Sequence, residues 1–156
     1  MNKSMISALL KGLKNSDEAI RDRATRELWQ IWFEQKGAVG LELLRRAQIF
    51  LEMHDLDKAE DLLATLVLQQ PDFAEAWNRR AVLRYIQGNY QAAIADCETV
   101  IQLNPIHFGA LHGLGLCHMA IANYSPAIQA FRQALEVQPY SLENQRLLLE
   151  CTAKLS

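Results

Sequence analysis

The sequence predicts an all-α protein, an array of stacked helical hairpins, and three observations carry that expectation. Pro71, Pro105 and Pro139 fall 34 residues apart, and so do Ala59, Ala93 and Ala127, the small residues Ala47, Ala81 and Gly115, and the large apolar residues Leu43, Trp77 and Leu111. A fixed period of this size marks a linear stack of helix pairs. Apolar residues also recur at helical spacing: Ala93, Ile94, Cys97, Val100 and Ile101 share a face, and Ala127, Ile128, Phe131, Ala134 and Leu135 repeat it. Turn-forming residues fall between these stretches, once in mid-unit and once at each proline.

Taken in order, residues 1–39 form an N-terminal extension that does not repeat. Met5–Lys14 offers a turn or two of helix. Residues 16–36 read as a longer one, with Asn15 and Glu18 as a capping box and Ile20, Ala24, Leu28 and Ile31 along one face. Trp29, Trp32 and Phe33 make this helix unusually aromatic. Three units then follow at 40–73, 74–107 and 108–141, each a helix pair. The first turns at His54-Asp55, the second at Gly88-Asn89 and the third at Ala122-Asn123, with Pro126 in a helix-opening turn where a missing N–H does little harm. In the middle unit the helices run from Ala74 to Gln87 and from Tyr90 to Leu103, and Asn104-Pro105 ends the second. The small residues at 47, 81 and 115, and at 59, 93 and 127, let paired helix axes approach closely; a large side chain there costs roughly 1–3 kcal/mol. Residues 142–156 supply a last amphipathic helix, with Leu142, Leu147, Leu148 and Leu149, that shields the apolar end of the stack.

The middle unit reads A-W-N-R-R-A-x-x-R-Y-x-x-G-N-Y-x-x-A-I-x-D…L-N-P, which resembles a tetratricopeptide repeat (TPR), W-x2-L-G-x2-Y…A-x3-F…P. Trp77, Ala81, Ala93 and Pro105 match it, as do Leu114-Gly115, Ala127, Phe131 and Pro139 in the third unit. Arg46 and Arg80 stand where the family has Leu, and Arg84 where it has Tyr. Their stems pack and their heads reach water or an acid such as Asp96, or else they form an anion-binding patch. With its aromatic helix ahead of three repeats, the chain is similar to bacterial-type TPR proteins with an N-terminal helical extension. The resemblance implies a right-handed α-α superhelix whose first helices line a concave groove. It places Leu44, Arg45, Gln48, Leu51, Asn78, Arg79, Val82, Tyr85, Ile86, His112, Gly113, Leu116 and Met119 near that groove. Arg45 and Arg79 share a column, where two guanidiniums hold a carboxylate bidentately or simply pair with Glu42 or Glu75. Val82, Tyr85, Leu116 and Met119 offer an apolar anchor. Family members that grip a chaperone's C-terminal carboxylate use Lys, Asn and Arg at positions matching Leu44, Gln48, Arg79, Gly109 and Gly113 here. None keeps the expected residue, so that clamp is not expected.

Composition bounds the function. Half of the 156 residues are hydrophobic and 22% charged, enough for a core. A net charge of -2 argues against a general nucleic-acid binder. Residues 1–39 carry a balance of +2 and 40–73 one of -4, read as solvated helix faces. Cys97, Cys117 and Cys151 are odd in number without C-x-x-C spacing, which fits a reduced cytoplasmic compartment and neither a disulfide framework nor a zinc site. No apolar stretch approaches the ~20 residues of a membrane span. Lys11 and Lys14 interrupt the first apolar patch, against a signal peptide; the acid-free first 16 residues loosely suggest a transit peptide instead.

No catalytic or metal-binding constellation emerges. His54, His107, His112 and His118 lack H-x-x-x-H or H-E-x-x-H spacing, and His118 occupies the column of Phe50. Cys97 shares a column with Leu63 and Phe131 and reads as core. Gly109, Gly113 and Gly115 follow no strand and read as helix-crowding sites. Asp55, Asp57 and Asp61 lack the glycine and terminal glutamate of a calcium loop. The expected function is a non-catalytic protein-interaction module or adaptor, without cofactor or metal. It would bind a peptide or partner helix in the groove, with Trp29, Trp32 and Phe33 as a second contact. The alternative is a structural homo-oligomer assembled through the aromatic helix or the array ends.

Overall fold

The computed structural model describes residues 3–156. Over those residues the chain forms α1 (Lys3–Gly12), α2 (Glu18–Phe33), α3 (Gly37–Glu52), α4 (Leu56–Gln69), α5 (Ala74–Ile86), α6 (Tyr90–Leu103), α7 (Phe108–Ala120), α8 (Tyr124–Val137) and α9 (Leu142–Lys154), and no strand. The pairs α3/α4, α5/α6 and α7/α8 are the three hairpins; they stack in chain order, and α9 packs on α8.

The repeat is written into the backbone as well as the sequence. His54, Gly88 and Ala122, one per hairpin turn, adopt positive φ of 60°, 75° and 59°. The following residue sends its N–H back into the preceding helix: Asp55 to Phe50 O, Asn89 to Arg84 O and Asn123 to His118 O, each at 2.8 Å. These are Schellman closures, which satisfy the orphan carbonyls at a helix end. Only the middle repeat has the glycine that the left-handed conformation favours.

Close packing follows from the small columns. Ala47, Ala59, Ala93 and Ala127 are fully buried. A Cβ added at Gly115 would meet the Phe131 ring at 2.5 Å, so helix α7 lies directly on α8 at that point. The last helix keeps the register too. Gln145 stands two periods after Trp77, and each donates to a proline carbonyl, Gln145 Nε2 to Pro139 O and Trp77 Nε1 to Pro71 O, both at 2.9 Å. Helix α9 thus keeps the register of the first helix of a fourth unit. Leu147 and Cys151 are buried against Ala127, Ile128 and Phe131. Leu142 and Leu149, expected on the shielding face, instead point outward, at 78% and 69% exposure.

The extension begins differently from the capping-box expectation. Asp17 caps α2, accepting the Ala19 N–H at 2.9 Å, while the Asn15 side chain accepts from Asp17 N. The buried stripe of α2 is Ala24, Leu28 and Trp32, with Ile20 largely exposed. That stripe closes a core with Leu13, Phe108, Ile106 and Val137. Helix α2 therefore runs along the row of loops joining successive hairpins. Arg21 lies over the Tyr140 ring, with 4.2 Å from its Cζ to the ring centroid, at the last loop. Trp32 stacks on His107, centroids 4.5 Å apart, at the middle loop. Just beyond its end, Lys36 Nζ pairs with Asp72 Oδ2 at 2.7 Å at the first. The fit is geometric: at about 1.5 Å per residue this stretch covers roughly 20 Å, two steps of helices packed about 10 Å apart.

Candidate functional site

The first helices of the hairpins pack on one another, α3 on α5 and α5 on α7, and among them lies a buried polar chain. Glu75, fully buried in the first turn of α5, accepts from His107 Nε2 at Oε1 (2.7 Å) and from Asn78 Nδ2 at Oε2 (3.2 Å). Arg79 Nε also lies 3.2 Å from Oε2. Arg79 Nη1 donates in turn to Gln48 Oε1 at 2.9 Å, and its guanidinium lies 4.9 Å over the Phe33 ring. The tautomer of His107 follows from its cap: Nδ1 accepts the Ala110 N–H at 3.0 Å, so Nε2 carries the proton that goes to Glu75. A buried carboxylate is tolerable only when paired and hydrogen-bonded in this way. The chain ties α3 and α5 to the N-terminus of α7, which His107 caps, and, through the His107–Trp32 stack, to α2.

Two clefts open on either side of this chain. The first, about 530 Å³, has α2 as one wall, with Trp29 and Phe33, and α3 as the other, with Leu41 and Leu44. Arg26, Arg45, Arg79 and Gln48 supply its polar groups together with Gln30 and Glu34. The second, about 230 Å³, lies between α5 and α7 and includes Asn78, Val82, Tyr85, His112 and Leu116. Gly109 and Gly113 line it as well, with Cys97 and Cys117 in the wall. A hydrogen bond with Cys117, and after it burial, push the Cys97 thiol far up, which keeps it protonated.

The expected groove residues thus divide. Leu44, Arg45, Gln48 and Arg79 meet in the first cleft; Asn78, Val82, Tyr85, His112 and Leu116 meet in the second. Met119 lines neither, because it packs against the Ile128–Leu147 cluster under α9. His112 is drawn toward α9, its Nδ1 donating to Asn144 Oδ1 at 2.6 Å. Arg45 and Arg79 line one cleft yet differ in state. Arg79 is held by Glu75 and Gln48, whereas Arg45 is exposed with no ion-pair partner among the described residues. The aromatic trio expected as a second contact divides: Trp32 is buried in the fold, while Trp29 and Phe33 stay half-buried and line the first cleft. Trp32 is buried on His107 and Phe108, Trp29 meets both edge-on, and Phe33 stacks on Trp29. Of the two readings of the other arginines, the one that sets their heads on an acid such as Asp96 holds for Arg80 and Arg84. Arg80 grips buried Asp96 through Nε–Oδ2 (3.0 Å) and Nη2–Oδ1 (2.9 Å), and Arg84 adds a third bond at 3.0 Å. Arg46 alone of the three stays exposed.

Sequence reasoning offered Glu75 as a partner for Arg79, which the structure bears out, but it missed the tie from Glu75 to His107 and missed Arg26. A signal for His107 was present: it stands 34 residues after Phe73, and both are fully buried. Arg26 carried none, because α2 belongs to no repeat.

Two tetratricopeptide-repeat family models match, at residues 44–105 and 85–151. The chain belongs to the tetratricopeptide-repeat family. It is similar to a TPR repeat-containing protein of Rhizobium etli, 28% identical over 138 residues, which cover 88% of this chain and 68% of that one. It is also similar to the SGT1 homolog of Bos taurus, 31% identical over 96 residues, 62% of this chain and 28% of that protein. Of the fold's solved relatives, the first TPR of Spaghetti (RPAP3) bound to an HSP90 peptide superposes with a TM-score of 0.71 at 20% identity, covering 74% of this chain and 91% of that one. MamA superposes with a TM-score of 0.70 at 19% identity, covering 90% and 85%.

Proposed function

We propose that the protein is a non-catalytic interaction module that binds a peptide or partner helix along its concave face. The observation that carries this reading is that α2 does not fill the groove. It lies along one rim and leaves two clefts walled by first helices, one of them within the size range of ligand pockets. Relatives of the same fold bind peptides, as the HSP90-peptide complex of Spaghetti does. Cytoplasmic residence belongs to the same proposal and is supported by three buried, unpaired cysteines.

The test is a crosslinking pull-down from the native cell with mass-spectrometric identification, run beside a double variant, Arg45→Glu with Val82→Glu. Both residues are exposed, so the fold is kept. Partner capture by the wild type and its loss in the variant support the reading; equal capture by both rejects it. Arg79→Glu is the poorer choice, because it sets a second carboxylate against buried Glu75.

One observation favours self-assembly as a second reading. Leu142 and Leu149 lie seven residues apart on the outer face of α9, at the open end of the stack. Light scattering across concentration decides it: a mass that stays at one chain discards the homo-oligomer.

A further inference from the structure

The first cleft differs in kind from the second because a helix outside the repeats builds half of it. Its walls are apolar where they meet: Trp29 and Phe33 on α2 face Leu41 and Leu44 on α3. Its basic groups come from both sides. Arg26 rises from α2 and Arg45 from α3; both are exposed, and neither has an ion-pair partner among the described residues. The acids at hand are Glu34, already taking a bond from Gln30 Nε2 at 3.4 Å, and Glu75, committed to Arg79 and His107 beneath the surface. Counting Arg79, the cleft keeps one positive charge in excess within a chain of net charge -2. Unpaired arginines flanking an apolar hollow suit a ligand with the inverse pattern.

We infer that this composite cleft takes an acidic peptide segment, seating one aromatic or long aliphatic side chain between Trp29, Phe33, Leu41 and Leu44 while flanking carboxylates meet Arg26 and Arg45. The inference rests on the interaction-module reading and names the chemistry of its partner. It also gives the extension a role in recognition, since Arg26 and the Trp29–Phe33 wall are absent from the repeats themselves.

The probe is a phage-displayed library of random short peptides selected on the full chain, followed by fluorescence anisotropy of the enriched sequences. The expected peptides carry an apolar residue flanked by Asp or Glu. Their Kd rises roughly tenfold or more in Arg26→Glu with Arg45→Glu and recovers most of the loss with lysine at both positions. Raising salt from about 0.05 to 0.5 M weakens them, because exposed charges are screened. Arg132→Glu, exposed on α8 and outside both clefts, leaves them unchanged. Enriched peptides that lack acids, or that bind the double-arginine variant as well as wild type, overturn the inference. If those peptides are lost in Val82→Glu, the interaction-module reading survives and the site alone is wrong. A library that enriches nothing overturns both.

Discussion

Ala122 holds φ 59° at the position where the middle repeat places Gly88. A side chain in the left-handed region costs roughly 1–2 kcal/mol, and glycine returns part of the relief as lost chain entropy, about 0.5–1 kcal/mol. Ala122→Gly is therefore expected to raise the urea midpoint by the equivalent of ~0.5–1 kcal/mol; an unchanged or lower midpoint contradicts the strain. Gly115 works in the opposite sense. Its missing Cβ leaves room for the Phe131 ring, so Gly115→Ala is expected to destabilise by about 1–3 kcal/mol in the same titration. His118 adds a pH dependence. Its Nδ1 is buried without a partner, and burial lowers its pKa from the ordinary 6.5, against a smaller opposing pull from Glu98. The unfolded chain then takes up the proton first on acidification. Stability contributed by keeping this ring neutral is complete above pH 6.5 and is lost as pH falls toward the lowered folded value. His118→Phe, matching Phe50 in the same column, should flatten that part of the stability–pH curve. Gly115 and His118 were both legible from their columns. The strain at Ala122 was legible only as a turn, because a column of His, Gly and Ala does not announce its backbone angle.

At the scale of the element, α2 behaves as a brace. It owes its position to Trp32 on His107, to Trp29 over Gly109, and to Lys36 on Asp72. A Cβ at Gly109 would come within 2.6 Å of the Trp29 ring, so Gly109→Ala should loosen α2 without touching the hairpins. Hydrogen–deuterium exchange is the measurement. Faster exchange confined to α1 and α2 is expected, whereas uniform protection would mean that the brace adapts. Trp32→Ala should do the same more strongly, costing about 3–5 kcal/mol as a buried aromatic truncation. The helix itself was readable from its apolar spacing. Its docking was not, since nothing local says that an aromatic stripe will meet a histidine dozens of residues away.

Across the whole molecule, the buried chain Gln48–Arg79–Glu75–His107 runs from α3 through α5 to the N-cap of α7, joining neighbouring elements of the array. Removing its centre leaves buried donors and a charge without partners. Glu75→Ala is expected to cost about 3–5 kcal/mol and to loosen Arg79 in the wall of the first cleft and Asn78 in that of the second. The measurement is the urea titration together with anisotropy of any selected peptide. By itself the sequence determined the all-α class, the three hairpins and their turns, and the cap helix. These follow from periodic, local signals: a column repeated at 34 residues constrains helix spacing wherever it occurs. Only the tertiary structure decided that α2 lies along the inter-repeat loops, that Arg79 is tied down while Arg26 and Arg45 stay unpaired, and that the groove divides into two clefts. Those outcomes depend on contacts between segments that share no period, and pairing of charges is settled by distances that only the folded chain sets.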